Sequence, residues 1–282
     1  MSNTSLLTSD QVKEFKENGV LVVKDFYNAQ NEIEPIQRAI HGIIRIIIEK
    51  YGFPVIQAPF TPETFDSGYQ EIIALNRATG GEIYDAVKQI PAFIRLVSNE
   101  RHDFLTCQLR DTDLPGIAAG GYGIRIDNPN EEKFRAVWHQ EYPSQLRSLD
   151  GLVFWSSLVD VTQDIGPVIF CLGSHKKGLV RVHTKDPRNP EKTSAYALVL
   201  ENEEALVASY PQVAPLTNPG DLVIIDFLTL HASGVNVGHR SRWTMQTRYF
   251  TFTESTGVKI GWKGSFAAGI KFSDVHPELI VD

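Results

Sequence analysis

The sequence predicts a mainly β protein with N-terminal helices, in which an antiparallel barrel or jelly roll is packed on its outside by helices. Two observations lead there. Residues 1–99 are dominated by apolar positions at helical spacing, interrupted by Gly and Pro. After Asn99 the chain changes to short runs of β-formers separated by Gly, Pro, Asn and Asp, with no helix-length pattern between most of them. A parallel α/β sheet would need such crossover helices. No internal repeat, low-complexity tract or linker divides the chain. The expectation is therefore one domain over 1–282, with a helical region at 1–99, a β core at 100–255 and a C-terminal extension at 256–282.

The elements follow in order. Thr8-Ser9-Asp10-Gln11 reads as a capping box that opens a short amphipathic helix, and Asn18-Gly19 ends it. Val20 to Val23 reads as a buried strand. From Asn31, the residues Ile36, Ile40, Ile43, Ile44 and Ile47 form a core-facing helical stripe that stops at Gly52-Phe53-Pro54. Further helices are expected near Gly68 to Arg77 and Gly81 to Val97, the second interrupted at Pro91. The expected strands are Phe104 to Arg110, Gly123 to Ile126, Phe134 to Tyr142, Gly151 to Val161, Val168 to Leu172, Ala195 to Leu200, Asp221 to Phe227 and Thr244 to Phe252. The polar span Lys185 to Ser194 is expected to be a mobile loop.

Composition narrows the function classes. The formal net charge of −7, with no basic run, gives no electrostatic footprint for nucleic acid or an anionic membrane surface. The N-terminus lacks the basic and apolar regions of a secretion signal. The densest apolar cluster, Ile43 to Ile48, is short and contains Arg45, so no membrane span is expected. Two cysteines, Cys107 and Cys171, are too few for a disulfide framework, and a cytoplasmic, reducing setting is the default.

Chemistry concentrates at Ala136 to Tyr142. In an extended segment His139 and Glu141, two residues apart, would point to the same face. His231 follows the apolar run Leu222 to Ile225 and would add a second imidazole. Two imidazoles and one carboxylate on one face of a metal leave the other face open, which suits non-haem Fe(II) and oxygen chemistry. Taken singly, each residue has a plainer reading: His139 as a structural histidine, Glu141 as a solvent-exposed carboxylate, His231 as a turn residue. Downstream, Arg242, Thr244, Gln246 and Arg248 share one face of a strand. A hairpin through Gly234 and Gly238 would bring Arg242 near His231, where a guanidinium could hold a carboxylate bidentately. Two other classes remain open on these residues: a non-catalytic β-barrel binding module with a degenerate site, and a cupin-type metal-dependent isomerase or hydrolase. Neither has a use for a carboxylate anchor at Arg242.

The ordered motifs Trp138-His139-Gln140-Glu141, Gly151-Leu152-Val153-Phe154-Trp155, Gly166 through Gly173-Ser174-His175, Pro219-Gly220-Asp221 and His231-Ala232-Ser233-Gly234-Val235-Asn236 with Arg242 resemble those of the phytanoyl-CoA dioxygenase family. The resemblance spans about residues 138 to 250. It implies a double-stranded β-helix of cupin-like type and an Fe(II)- and 2-oxoglutarate-dependent dioxygenase that uses O2. It further implies His139, Glu141 and His231 as iron ligands, Arg242 as the partner of the distal carboxylate of 2-oxoglutarate, Ser233 as a hydrogen-bonding residue for that carboxylate, and Trp155 as an aromatic lining the cosubstrate pocket. Glu141 departs from the family's usual Asp but keeps a charged oxygen ligand. Halogenating relatives place a small residue there, so the resemblance implies hydroxylation of an unactivated C–H bond, or a related oxidation, rather than halogenation. Charged and amide residues near the first motif, Arg125, Gln140, Gln145 and Arg147, point to a small polar metabolite as the substrate.

Overall fold

The computed structural model describes residues 5–186 and 198–281. Most of the expected loop from Lys185 to Ser194, and the start of the expected strand from Ala195, lie outside them.

The N-terminal helices form where capping and periodicity place them. Helix α1 (Ser9–Asn18) opens on the Thr8 capping box and ends at Gly19 in the left-handed region. Strand β1 (Val20–Val23) follows, and α2 (Glu34–Tyr51) buries Ile36, Ile40, Ile44 and Ile47. Helices α3 (Tyr69–Leu75), α4 (Ala78–Val87) and α5 (Pro91–Val97) divide at Pro91, which takes the first helical position of α5. The expected strand at Phe104 to Arg110 is instead helix α6 (Glu100–Arg110), capped by the Asn99 side chain on the Arg101 amide. Its buried residues His102, Leu105, Thr106 and Leu109 follow a helical period, and the alternation of Leu105, Cys107 and Leu109 is incidental.

The remaining elements in chain order are β2 (Pro115–Ile117), β3 (Gly123–Asp127), α7 (Tyr142–Gln145), β4 (Gly151–Ser157), β5 (Val168–Cys171), β6 (Val182–His183), β7 (Val199–Leu200), α8 (Glu203–Ala208), β8 (Gln212–Val213), β9 (Leu222–Asp226), β10 (His231–Ser233), β11 (Arg242–Thr251), α9 (Ser255–Ile260), α10 (Ser265–Ala268) and α11 (Phe272–Val275). The protein is thus mixed helix and sheet rather than mainly β.

Among the described residues, the larger sheet runs β1-β9-β4-β11-β2, with β3 also on β11, and a second sheet runs β10-β5-β8. All these pairings are antiparallel. β11 is the hub of the larger sheet. One of its faces sends Trp243 against Phe65 and Tyr69, and the Tyr249 hydroxyl to the Val97 carbonyl at 2.9 Å, which ties the sheet to the helices. The alternate face carries Arg242, Thr244, Gln246 and Arg248. The buried apolar residues of helices and sheets join into one cluster.

Two local expectations fail in an instructive way. Phe134 to Tyr142 is not a strand: it makes only an isolated bridge between His139 and His231, and Glu141 has right-handed helical backbone at φ −70°. Nor do β10 and β11 form a hairpin, because they belong to different sheets. The connection between them is pinned by Asn236, whose amide donates to the carbonyls of Asp127 and Arg240 at 3.0 and 2.9 Å.

Candidate metal and cosubstrate site

The irregular segment carrying His139 and Glu141 is held by its backbone and by Gln140. The His139 amide donates to the His231 carbonyl and the His231 amide to the His139 carbonyl, each at 3.0 Å. The amides of Glu141 and Tyr142 both donate to the Phe227 carbonyl. The Gln140 amide donates to the carbonyls of Gly178 and Leu228, and its oxygen accepts from the Val180 amide. Gln140 is therefore a structural pin and does not face a substrate. On the other side, the Ser174 hydroxyl accepts from the Leu230 amide at 2.9 Å and fixes the residue next to His231. His175 of the same turn contacts the Lys16 carbonyl, far from the site chemistry.

These constraints bring His139, Glu141 and His231 together: one ligand atom from each lies within 4.8 Å of the others, a group that could hold a metal ion. Glu141 Oε2 is 3.8 Å from Nε2 of both imidazoles. His139 Nδ1 contacts the Val137 carbonyl at 2.7 Å and His231 Nδ1 contacts the Thr229 carbonyl at 2.9 Å. Since a carbonyl only accepts, each Nδ1 carries the proton and each Nε2 presents a lone pair. Burial lowers the proton affinity of both imidazoles, His231 to about 3. They are neutral and ready to ligate at physiological pH. Burial pushes the Glu141 carboxyl up, but the adjacent Arg248 guanidinium together with His139 and His231 outweighs this and holds it down at about 2.

Arg242 lies at the start of β11, almost wholly buried, and donates through Nη2 to Asp127 Oδ2 at 2.9 Å and to Ser233 Oγ at 3.0 Å. Its Nε and Nη1 are buried and have no hydrogen-bond partner among the described residues. A buried guanidinium with unspent donors beside a serine hydroxyl fits a carboxylate guest, because such donors are costly to leave unmet. Asp127 also takes Arg125 at 2.8 Å. Burial raises its carboxyl, and the two arginines together more than reverse that.

All of these groups line one cavity of about 410 Å³, bounded by β3, β4, β5, β9, β10 and β11 and thus by strands of both sheets. Trp155, Val153 and Ile225 supply an apolar wall. Gln145, Arg125 and Gln246 also face the cavity, whereas Arg147 does not: its guanidinium donates to the carbonyls of Gln145 and Ala119 and packs on Gly264. The resemblance missed Arg248 and Asp127. Strand parity places Arg248 on the face of Arg242, but nothing local announces its salt bridge to Glu141.

The first ligand-bearing stretch and Arg242 fall within residues 124–244, which match the model of the family described as phytanoyl-CoA dioxygenase (PhyH). No curated protein sequence matches the chain. Among solved structures, EctD from S. alaskensis with 2-oxoglutarate and 5-hydroxyectoine aligns over 90% of this chain and 79% of its own at 17% identity, with a TM-score of 0.59. SnoK, a non-heme alpha-ketoglutarate-dependent carbocyclase from nogalamycin biosynthesis, aligns over 87% and 85% at 16% identity and a TM-score of 0.54. EvdO2 from Micromonospora carbonacea var. aurantiaca, complexed with 2-oxoglutarate, aligns over 88% and 92% at 14% identity and a TM-score of 0.51. Such likeness establishes a shared fold. Over residues 124–244 the chain is similar to the phytanoyl-CoA dioxygenase family.

Proposed function

We propose that this protein is an Fe(II)- and 2-oxoglutarate-dependent dioxygenase that hydroxylates an unactivated C–H bond of a small polar metabolite. His139, Glu141 and His231 would hold the iron, Arg242 and Ser233 the distal carboxylate of 2-oxoglutarate, and Trp155 the wall beside it. The frame would be a double-stranded β-helix formed by the two sheets, within a single domain of 1–282. Iron, 2-oxoglutarate and O2 together supply an oxidant that can take a hydrogen atom from carbon, with succinate and CO2 as by-products.

The chain's own residues supply the rest. The backbone carbonyls of Val137 and Thr229 fix both imidazole tautomers, so the Nε2 atoms stay directed at the Glu141 carboxylate. Arg242 and Ser233 orient a dicarboxylate, and the apolar wall of Val153, Trp155 and Ile225 excludes water from the reacting region.

The observation that carries this reading is the pair of unpartnered, buried Arg242 donors in the same cavity as the His-Glu-His group. A binding module without cosubstrate, or a cupin-type isomerase or hydrolase, has no use for them. The polar-substrate reading rests on Gln145, Arg125 and Gln246, which face the cavity. Solved relatives of the fold include a carbocyclase and an epimerase, so the fate of the carbon after hydrogen removal is the part of the proposal that needs product analysis. A cytoplasmic setting is part of the proposal; no helix among the described residues is long and apolar enough to cross a membrane.

The test is anaerobic titration of the purified chain with Fe(II) and 2-oxoglutarate, followed by succinate measurement with O2 across a panel of polar metabolites and acyl thioesters. Metal-dependent succinate formation is expected. Its absence with bound iron and 2-oxoglutarate, or turnover that needs no cosubstrate, would refute the assignment.

A further inference from the structure

Each nitrogen of the Arg248 guanidinium donates one hydrogen bond at the cavity. Its Nε donates to Glu141 Oε1 at 3.0 Å, Nη1 to the Gly121 carbonyl at 3.2 Å and Nη2 to Gln246 Oε1 at 2.6 Å. These partners lie on three separate parts of the chain, and the strand carrying Arg248 is paired at that point to β4. The arginine is a rigid fixture. Glu141, by contrast, sits on irregular backbone and has one more rotatable bond than an aspartate would.

Rigidity matters because a glutamate can ligate a metal through one oxygen or both. Two imidazoles and a single carboxylate oxygen fill three positions of an octahedral ion and leave three open. A bidentate glutamate would leave two, enough for a chelating keto acid and nothing more. In the structure Oε1 is taken by Arg248 while Oε2 lies 3.8 Å from both imidazole Nε2 atoms. We propose that Arg248 is a positioning residue that occupies one oxygen of Glu141, so that this longer carboxylate offers a single oxygen to the metal. The inference rests on the iron-site reading above and adds to it a reason why Glu serves in this chain.

The experiment uses the full chain and measures metal binding as well as turnover. Co(II) and Fe(II) affinities would be obtained by calorimetry for the wild type, Arg248→Gln, Arg248→Lys, Glu141→Ala and the double variant Glu141→Ala/Arg248→Gln. The optical spectra of the Co(II) forms, and the charge-transfer band that 2-oxoglutarate gives on chelating Fe(II), would be recorded alongside thermal unfolding of the metal-free proteins. Arg248→Gln should weaken metal binding by about 10- to 100-fold, the usual effect of losing a group that orients a ligand, and should alter the Co(II) spectrum. Arg248→Lys should recover part of the affinity, since an ammonium can reach one oxygen but cannot supply the fork. In the Glu141→Ala background, Arg248→Gln should add little. If Arg248→Gln does not fold, Arg248→Lys decides: weaker metal binding with unchanged unfolding supports the clamp, and wild-type affinity and spectrum overturn it. Equal or tighter binding in Arg248→Gln would also overturn it, as the guanidinium would then only compete with the metal for Glu141. A wild type that binds no metal would overturn the iron site itself, a separate result from failure of the clamp.

Discussion

Replacing Arg242 separates the proposed cosubstrate anchor from the proposed iron site. The side chain is 1% exposed, gives one nitrogen to Asp127 and Ser233, and leaves Nε and Nη1 without partners among the described residues. A carboxylate received there would be desolvated and paired. Truncating one partner of such a pair costs about 2–5 kcal/mol, which at 1.4 kcal/mol per decade is roughly 30-fold to a few thousandfold in affinity. Folding should suffer less than the about 3–5 kcal/mol of a broken buried pair, because Asp127 keeps Arg125 at 2.8 Å. In Arg242→Ala, 2-oxoglutarate affinity of the Mn(II)-loaded protein, measured by anaerobic calorimetry, should fall by that factor while Mn(II) affinity changes little. Arg242→Lys should restore part of it. Arg240→Ala is the control, since Arg240 pairs with Asp66 at 2.9 Å, away from the cavity lining; Arg248 cannot serve, being bonded to Glu141. Unchanged 2-oxoglutarate affinity in a folded Arg242→Ala, or a loss in Arg240→Ala instead, would refute the anchor even if the iron triad survived.

Three further outcomes are expected. His231→Ala should abolish metal binding and turnover yet leave the fold in place, because β10 is paired through its backbone; unfolding of this variant would return His231 to a structural role. His102 is buried against Tyr27 and Phe154, and burial lowers its proton affinity to about 3 from 6.5. Below pH 6.5 the unfolded chain therefore binds the extra proton, so stability should decline as pH falls from 6.5 towards 3, by on the order of 4 kcal/mol for this group. Denaturant midpoints for His102→Asn should be less pH-dependent than those of the wild type, and parallel curves would exclude His102 as a source. Finally, a Cβ on Gly151 would lie 2.3 Å from the Phe227 ring, whose residue's carbonyl accepts from the Glu141 and Tyr142 amides. Gly151→Ala should destabilise by about 1–3 kcal/mol and weaken metal binding, and wild-type values for both would show that Phe227 does not transmit the strain.

The candidate site was legible in sequence because it is built from residue types that are expensive to bury without purpose. A carboxylate two residues from a histidine, a later histidine and a downstream arginine form a constellation whatever backbone presents them. The backbone itself was misread. Strand parity put His139 and Glu141 on one face, but the structure reaches the same convergence through an irregular turn held by Gln140 and the Phe227 carbonyl, whose partners lie far along the chain. Strands of two or three residues such as β6, β8 and β10 carry too little pattern to be read, and α6 shows how a short alternation can hide a helix whose true signal is the Asn99 cap.

The distribution of the site over the elements follows from what each group must do. Arg242 and Arg248 both stand on β11, which is paired on both sides over much of its length and braced from behind by Trp243 and Tyr249. Charged side chains buried in a cavity need such a platform, since any slack would leave them unpaired. The three candidate ligands come instead from β10 and from the irregular turn beside it, where the backbone can depart from regular pleat to bring an imidazole pair and a carboxylate together. Arg242 reaches from this strand to Ser233 on β10, and Arg248 reaches from it to the ligand with the most freedom. Changes at the start of β11 should accordingly act on the cosubstrate alone, and a change at Arg248 on the metal, although the two residues share a strand face.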